Sequence, residues 1–452
     1  MTVQYGNIAR RFENAGFQIW DIFEETSTST IITFEDNRVD KIMPGLDFGV
    51  GLRGIRDFKT VYGYTNDLSV LDKTAETICG AAGAGEDIVF SEIKPSIIHE
   101  VKIQPDSVSM QKKIDLLKGI NDSVRSKSGL IRQVTINYSE KKQQVAVYND
   151  KKELSREDRV YTNCTIMVIA EKNGRIETGY SVLAARRGFE VFELEDVFKK
   201  ADDAASLALR LLDADKKITG PMTAVISSSA GGTMIHEAVG HSLEADLVQK
   251  GLSQYQGKKG KKVASGIITV LDDATLPNRR GSLSFDDEGT LSQRTVLIEN
   301  GILKNYMYDR ETALKDKTES TGNGRRESYK FRPIPRMRNT MIAPGTGLSA
   351  DLIKDTKSGI FVVKMGGGQV NTVTGEFVFE VKDGYMIEDG KVTYPVRGAT
   401  LMGIGADVLN TIDAVCTDLG FDSGTCGKDG QGAPVCDAQP TLRIPTILVG
   451  SK

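Results

Sequence analysis

Two of the three histidines in the chain stand five positions apart, in His236-Glu237-Ala238-Val239-Gly240-His241. Histidines spaced by four share one helix face, because four residues advance about 400°. Five residues advance about 500°, which leaves the two imidazoles roughly 140° apart on a regular helix. That is too splayed for one ion about 2.1 Å from each ring nitrogen. Joint use of the two rings therefore requires a deformed turn. A π-bulge absorbs one residue and brings i and i+5 into line, and Gly240 is the position most permissive of it. The helix is expected to open at about Thr233, just after Gly231 and Gly232. On these residues alone a second reading stands beside this one, in which both histidines are ordinary members of a helix that holds no ion.

A catalytic ion usually takes three protein ligands, so two histidines leave one to find. Glu244 and Asp246 follow on the same helix. Cys426 lies far off in Gly424-Thr-Cys-Gly-Lys-Asp-Gly-Gln, where flanking glycines let the backbone approach an ion and Lys428 favours a thiolate. Taken alone, Cys426 reads more simply as a buried free thiol, as do Cys416 and Cys436. The five cysteines, an odd number without a C-x-x-C pair, fit neither a disulfide framework nor a zinc ribbon.

At 452 residues the chain exceeds the roughly 250–300 residues at which one core stops growing, so two domains are expected. The polar run Asp213-Ala-Asp-Lys-Lys-Ile-Thr-Gly-Pro is the linker candidate, dividing an N-terminal α/β domain, residues 1–217, from a β-rich C-terminal domain, residues 218–452. In the first half, Gln18-Ile-Trp-Asp-Ile-Phe-Glu-Glu-Thr and Thr30-Ile-Ile-Thr-Phe-Glu alternate like half-buried strands, and Phe48-Gly-Val-Gly-Leu-Arg-Gly-Ile-Arg reads as another. Apolar residues at helical spacing predict helices over residues 111–126 and 194–212. The second half has short β-rich segments between glycine turns, with a hairpin turn at Glu388-Asp-Gly-Lys, and should be largely antiparallel sheet. The fold class is α+β, with the histidine helix set in the β-rich part. A net charge of −3 gives no single-sign field for a polyanion, so nucleic acid is not an expected partner. Neither a signal-peptide core nor an apolar run of about 18 residues is present, so no membrane is expected and the location reads as cytoplasmic.

The segment Gly232-Thr-Met-Ile-His-Glu-Ala-Val-Gly-His-Ser-Leu-Glu-Ala-Asp closely resembles the metal-site motif of the TldD type of the TldD/PmbA family. Further blocks agree in the family's order: Arg280-Gly-Ser-Leu-Ser-Phe-Asp-Asp-Glu-Gly-Thr, Thr321-Gly-Asn-Gly-Arg-Arg-Glu-Ser-Tyr, Pro335-Arg-Met-Arg-Asn-Thr, Gly367-Gly-Gln-Val, Gly375-Glu-Phe-Val-Phe and Cys426-Gly-Lys-Asp-Gly-Gln. The resemblance implies a metallopeptidase that trims unfolded or extended peptides by a metal-activated water. It makes His236, His241 and Cys426 the ligands of one divalent ion, zinc with iron as the alternative, and Glu237 the general base. It also implies a homodimer, or a heterodimer with a PmbA/TldE-type homologue, which lacks the histidine motif. The tail Pro434-Val-Cys-Asp-Ala-Gln-Pro departs from the family's glycine-rich form, which puts pocket shape in doubt and leaves the metal site untouched. The competing class is a non-catalytic binder, a modulator of gyrase or of a toxin–antitoxin pair.

Three other features carry blander readings. Gly80-Ala-Ala-Gly-Ala-Gly-Glu-Asp lacks the Gly-Lys-Ser/Thr of a phosphate loop and reads as a turn, and Lys258-Lys-Gly-Lys-Lys-Val reads as a solvated mobile loop. Asp286-Asp-Glu-Gly is expected to line the cleft or orient ligands, and His99 to lie at the surface. Gly366-Gly-Gly-Gln-Val is a candidate sheet edge for an extended peptide.

Overall fold

The computed structural model describes residues 2–80, 85–95, 97–214 and 217–451. Residues 81–84 of the glycine-rich turn and residues 215 and 216 of the expected linker lie outside that set.

The fold is α+β, built on two large sheets. The first has seven strands: β1 (Ile19–Glu35), β2 (Arg38–Arg56), β3 (Lys59–Thr65), β4 (Ser91–Ile93), β5 (Ile131–Asn149), β6 (Glu153–Lys172) and β7 (Arg175–Ala185). Their order is β3-β2-β1-β5-β6-β4, with β7 also on β6. The two strands read at residues 18–26 and 30–35 are one, because the Thr/Ser run between them favours extended backbone and has no glycine or proline to end it.

Alternation along β1 shows how this sheet is covered. Trp20 and Ile22 pack with Tyr5, Ile8 and Phe12 of helix α1 (Thr2–Asn14) and Leu71 of α2 (Leu71–Cys79). Ile32 and Phe34 pack with Leu117, Ile120 and Val124 of α3 (Met110–Arg125). The intervening Asp21, Phe23 and Glu25 point to the other face and meet Arg326 and Tyr329 from the second half of the chain. The expectation of half-buried strands is therefore corrected: this end of β1 is covered on both sides.

Helix α3 matches its predicted span, with Ser109 accepting from the Lys112 N–H as its cap. The helix expected over residues 194–212 is broken into α4 (Val191–Leu194) and α5 (Val197–Leu212). Glu195 is extended, and Asp196 starts the second helix by accepting from the Lys199 N–H.

The second sheet has eleven strands and begins at β8 (Gly220–Ile226), followed by β9 (Val270–Asp273), β10 (Arg294–Glu299) and β11 (Ile302–Leu303). A separate two-stranded pair, β12 (Gly324–Arg325) and β13 (Ile334–Pro335), precedes β14 (Asn339–Ile342), β15 (Ser358–Val370) and β16 (Glu376–Glu388). The last strands are β17 (Lys391–Val396), β18 (Ala399–Ile404), β19 (Ala414–Lys428) and β20 (Gln431–Ser451). The order is β11-β10-β9-β14-β20-β18-β16-β15-β8, and β8 pairs back to β20, which closes the last five into a barrel. Pairing is antiparallel except for β14 with β20 and β15 with β8. The hairpin turn expected at Glu388-Asp-Gly-Lys is present, with Asp389 and Gly390 at φ 48° and 73°. An equivalent Asp429-Gly430 turn joins β19 to β20.

Buried ion pairs fasten the two sheets together. Arg53 of β2 pairs with Asp21 and, at 2.5 Å, with Glu288; Arg159 of β6 reaches Asp287 at 2.6 Å. Burial pushes the Glu157 carboxyl up, yet Arg186 and Arg159 beside it outweigh this and hold it at about 2. The Asp286-Asp-Glu segment therefore serves this junction rather than the histidine region, which corrects its expected role. Arg53→Met leaves Glu288 buried without its cation, and a loss of about 3–5 kcal/mol is expected in reversible denaturant unfolding. A loss under about 1 kcal/mol would show that the junction does not depend on this pair.

His99 is buried, not at the surface, and its Nδ1 accepts from the Asn278 N–H at 3.2 Å. Around the lysine run, Tyr255 and Val263 are buried and the Tyr306 hydroxyl donates to the Tyr255 carbonyl, so that segment is anchored at both ends.

Candidate metal centre

Gly231, at φ 69°, turns the chain into a short helical segment, Thr233–Ile235. A Cβ on Gly232 would stand 2.3 Å from the Ala438 nitrogen, so the segment starts directly against β20. From His236 to Gly240 the backbone is π-helical, and the His241 N–H bonds to the His236 carbonyl. The extra residue is absorbed as the spacing predicts. The two rings lie 5.0 Å apart between centroids, perpendicular to each other. Gly240 has ordinary right-handed angles, φ −56° and ψ −56°. Its lack of a side chain matters for space instead: a Cβ there would be 2.1 Å from Met337 Sδ.

Cys426 arrives on β19. Its Sγ is 3.4 Å from His241 Nε2, and one donor atom from each of His236, His241 and Cys426 lies within 4.8 Å of the other two. The flanking glycines do not bring the backbone in, since Cys426 sits in regular pairing opposite Ala433 and offers its side chain. Two arginines, Arg336 buried and Arg280 half-buried, hold the hairpin backbone: Arg336 donates to the Cys426 and Gln431 carbonyls, and Arg280 to the Gly424 carbonyl at 3.0 Å.

Each imidazole is fixed from behind. His236 Nδ1 donates to Asp437 Oδ1 at 2.7 Å, and His241 Nδ1 to Glu244 Oε2 at 3.0 Å, leaving both Nε2 atoms for the centre. Glu244 is itself held by Lys428 Nζ at 3.1 Å, and the same ammonium reaches Asp246 Oδ1 at 2.7 Å. Glu244 and Asp246 are thus not grouped with the two histidines as the third donor, and Lys428 serves carboxylates rather than the thiol. Glu237 Oε2 is 4.0 Å from His241 Nε2, in a cleft of about 240 Å³ lined also by Thr233, Asp422 and Thr425.

Burial would raise the Cys426 thiol, but hydrogen bonds from His236 and His241 overcome it and bring it down to about 6. Burial disfavours charge on His241, yet Glu244 and Cys426 raise it to about 9; His236 is likewise raised well above the usual histidine range, chiefly by Asp437 against the same burial. The cluster is thus built to hold positive charge between two rings and a thiolate. Two imidazole nitrogens and one sulfur, each ring oriented by a carboxylate, form a donor set suited to a borderline-soft divalent cation with one position left open. The residues present therefore fit a metal ion.

Asp437 was not singled out from sequence. It lies in the tail segment expected to affect only pocket shape, and it contacts His236 directly, so that departure from the family pattern does reach the centre. The Asp429-Gly430 turn was the available signal: it sets Cys426 opposite Ala433 and Asp422 opposite Asp437, which places Cys426 and Asp437 on one face.

Comparison with known proteins agrees along the chain. Models described as PmbA/TldA metallopeptidase domain 1, central domain and C-terminal domain match residues 20–82, 103–212 and 219–451. The chain is 36% identical to a metalloprotease TldD homolog of Haemophilus influenzae, over 95% of this chain and 92% of that one. It is 35% identical to a metalloprotease of Methanocaldococcus jannaschii, with 94% and 95% covered, and 26% identical to a zinc metalloprotease TldD homolog of Saccharolobus solfataricus, with 98% of each covered. Among solved structures, TldE of Thermococcus kodakarensis has the same fold at TM-score 0.75 and 18% identity, covering 99% of this chain and 100% of that one. So does a Thermotoga maritima protein described as a candidate modulator of a DNA gyrase, at TM-score 0.81 and 21% identity over 99% of each. With all three family domains matched in order and relatives above 30% identity along nearly its whole length, the chain belongs to the PmbA/TldD family.

Proposed function

We propose that this protein is the TldD-type, catalytic member of its family: a peptidase in which His236, His241 and Cys426 hold one divalent cation and Glu237 is the general base. Zinc suits the donor set, with iron as the alternative. The observation that carries the reading is the π-helical turn, which spends an irregular backbone on aiming two imidazoles at a distant sulfur. When bound, the cation would supply Lewis acidity, polarising a scissile carbonyl and lowering the pKa of a water so that Glu237 can deprotonate it. Asp437 and Glu244 hold the two rings in the tautomer that presents Nε2. Glu237, beside the donor set and open to the cleft, takes the proton from water and delivers it to the leaving amine.

Substrates are unfolded or extended peptides. Among the described residues, β15 beyond Val362 has no ladder partner but β16, so the Gly366-Gly-Gly-Gln-Val end offers a free edge on which an extended chain can be held by backbone hydrogen bonds. Residues 1–217 form the supporting unit and residues 218–452 the unit that carries the centre. The assembly is a dimer, with a second copy or with a TldE-type homologue. A modulator that only binds a partner would have no use for a carboxylate placed at the mouth of a two-histidine, one-cysteine cluster.

Zinc-loaded protein incubated with unstructured peptides, with products read by mass spectrometry, is expected to yield chain-shortened fragments that a chelator suppresses. Cleavage unaffected by metal removal would count against the reading. Asp437→Ala, which removes the orienting partner of His236, is expected to weaken zinc binding about 10–100-fold in competition with a chromophoric chelator. Unchanged affinity would show that Asp437 does not orient the ring.

A further inference from the structure

Beside the metal cleft, and sharing Asp422 and Ser423 with it, lies a second cavity of about 570 Å³. That is within the range of about 300–1,000 Å³ typical of ligand pockets and more than twice the volume of the cleft itself. Its walls come from both halves of the chain: Tyr180 of β7, Lys200 and Arg210 of α5, and Lys364 of β15.

Three carboxylates, Asp203, Asp383 and Asp422, line this chamber with three cations, Lys200, Arg210 and Lys364, but they do not all pair with one another. Arg210 is paired with Asp383 at 2.5 Å, and Asp203 with Lys199 at 3.2 Å. Asp422 accepts from the Ser423 N–H at 2.9 Å and acts on Lys364 from outside ion-pair distance. Among the described residues neither Lys200 nor Lys364 has a carboxylate within 4.0 Å. The Lys364 ammonium stands 3.8 Å from the Tyr180 ring centroid and donates to the Tyr180 carbonyl. An ammonium has three donors, so two remain for a ligand. Burial pulls Lys364 below the usual lysine range, which marks an ammonium that a nearby anion would relieve.

We infer, resting on the peptidase reading, that this chamber is a substrate subsite adjoining the scissile bond and that it takes a carboxylate at Lys364 and Lys200. Such a carboxylate belongs to a peptide's C-terminus or to an acidic side chain. Asp422, at the junction with the cleft, disfavours an anion stopping short of the two lysines.

The test uses peptide pairs differing in one charge: free against amidated C-terminus, and Glu against Gln at each position flanking the cleaved bond. Cleavage by the zinc-loaded protein is expected to favour the anionic member of one pair about tenfold or more in kcat/KM, and the pair that responds identifies the source of the carboxylate. Lys364→Met should remove that preference by lowering kcat/KM for the anionic peptide more than for the neutral one, and Lys364→Arg should keep it. Lys200→Met, on a partly exposed helix position, should reduce the preference and serves if the Lys364 variant does not fold. Equal cleavage of charged and neutral peptides by the unaltered protein, or a preference surviving both Met variants, overturns the subsite. Absence of all cleavage overturns the peptidase reading instead. The same pairs measured by calorimetry then decide the chamber, with equal Kd for charged and neutral members counting against it.

Discussion

Glu237→Gln is expected to keep its metal ion and to lose peptide hydrolysis by about a thousandfold or more in kcat/KM. Glutamine has nearly the shape of glutamate and cannot accept a proton from water, so the change removes one chemical capacity and little else. General-base removal typically lowers rates by about 10²–10⁴-fold, and here the same carboxylate also returns the proton to the leaving amine. The ion should survive because the side chain is not one of the three gathered donors, its Oε2 standing 4.0 Å from His241 Nε2. Elemental analysis beside progress curves on one preparation checks both halves. Hydrolysis within about tenfold of the unaltered protein would remove Glu237 from the proton transfer. Loss of the ion together with activity would instead make it a ligand.

The second large effect is on the ion itself. Cys426→Ala should leave zinc content at background after dialysis and abolish hydrolysis, because two imidazoles alone fall short of the three protein ligands usual for a catalytic site. The substitution should disturb the hairpin little, since Arg336 holds the Cys426 backbone carbonyl rather than its side chain. Cys416→Ala and Cys436→Ala are the matched controls and should retain the ion. Burial raises both of those thiols, to about 12 for Cys436, which makes them poor ligands at neutral pH. Zinc retained by the Cys426 variant would move the third ligand elsewhere.

Much of the centre is visible in the sequence because it is local. The five-residue spacing of His236 and His241 demands a deformed turn whatever the rest of the chain does, and the π-helical segment falls on those residues. The purpose of Gly240 was hidden, since the crowding atom, Met337 Sδ, comes from nearly a hundred residues away. A separation of 201 residues likewise hid Asp437 behind His236, although the hairpin register contained it. Fold class and the α3 span follow from periodicity and caps. Periodicity did not reveal that β1 is covered on both faces, because on one face Asp21 meets Arg53 and Arg326, polar residues that read as solvent-facing until their partners are known. His99 was misplaced for the same reason, while the Asp286-Asp-Glu segment, expected at the cleft, pairs instead with Arg53 and Arg159 of the first sheet, partners that lie far off in sequence.

Convergence of a π-helical turn and a distant strand on one cation can be seen in an anomalous-difference map from crystals of the zinc-loaded protein, recorded at the zinc absorption edge. One peak per chain, within bonding distance of His236 Nε2, His241 Nε2 and Cys426 Sγ, with Glu237 beside it, is the predicted result. Absence of a peak there in crystals whose dissolved protein carries stoichiometric zinc, or a peak on other residues, would contradict it.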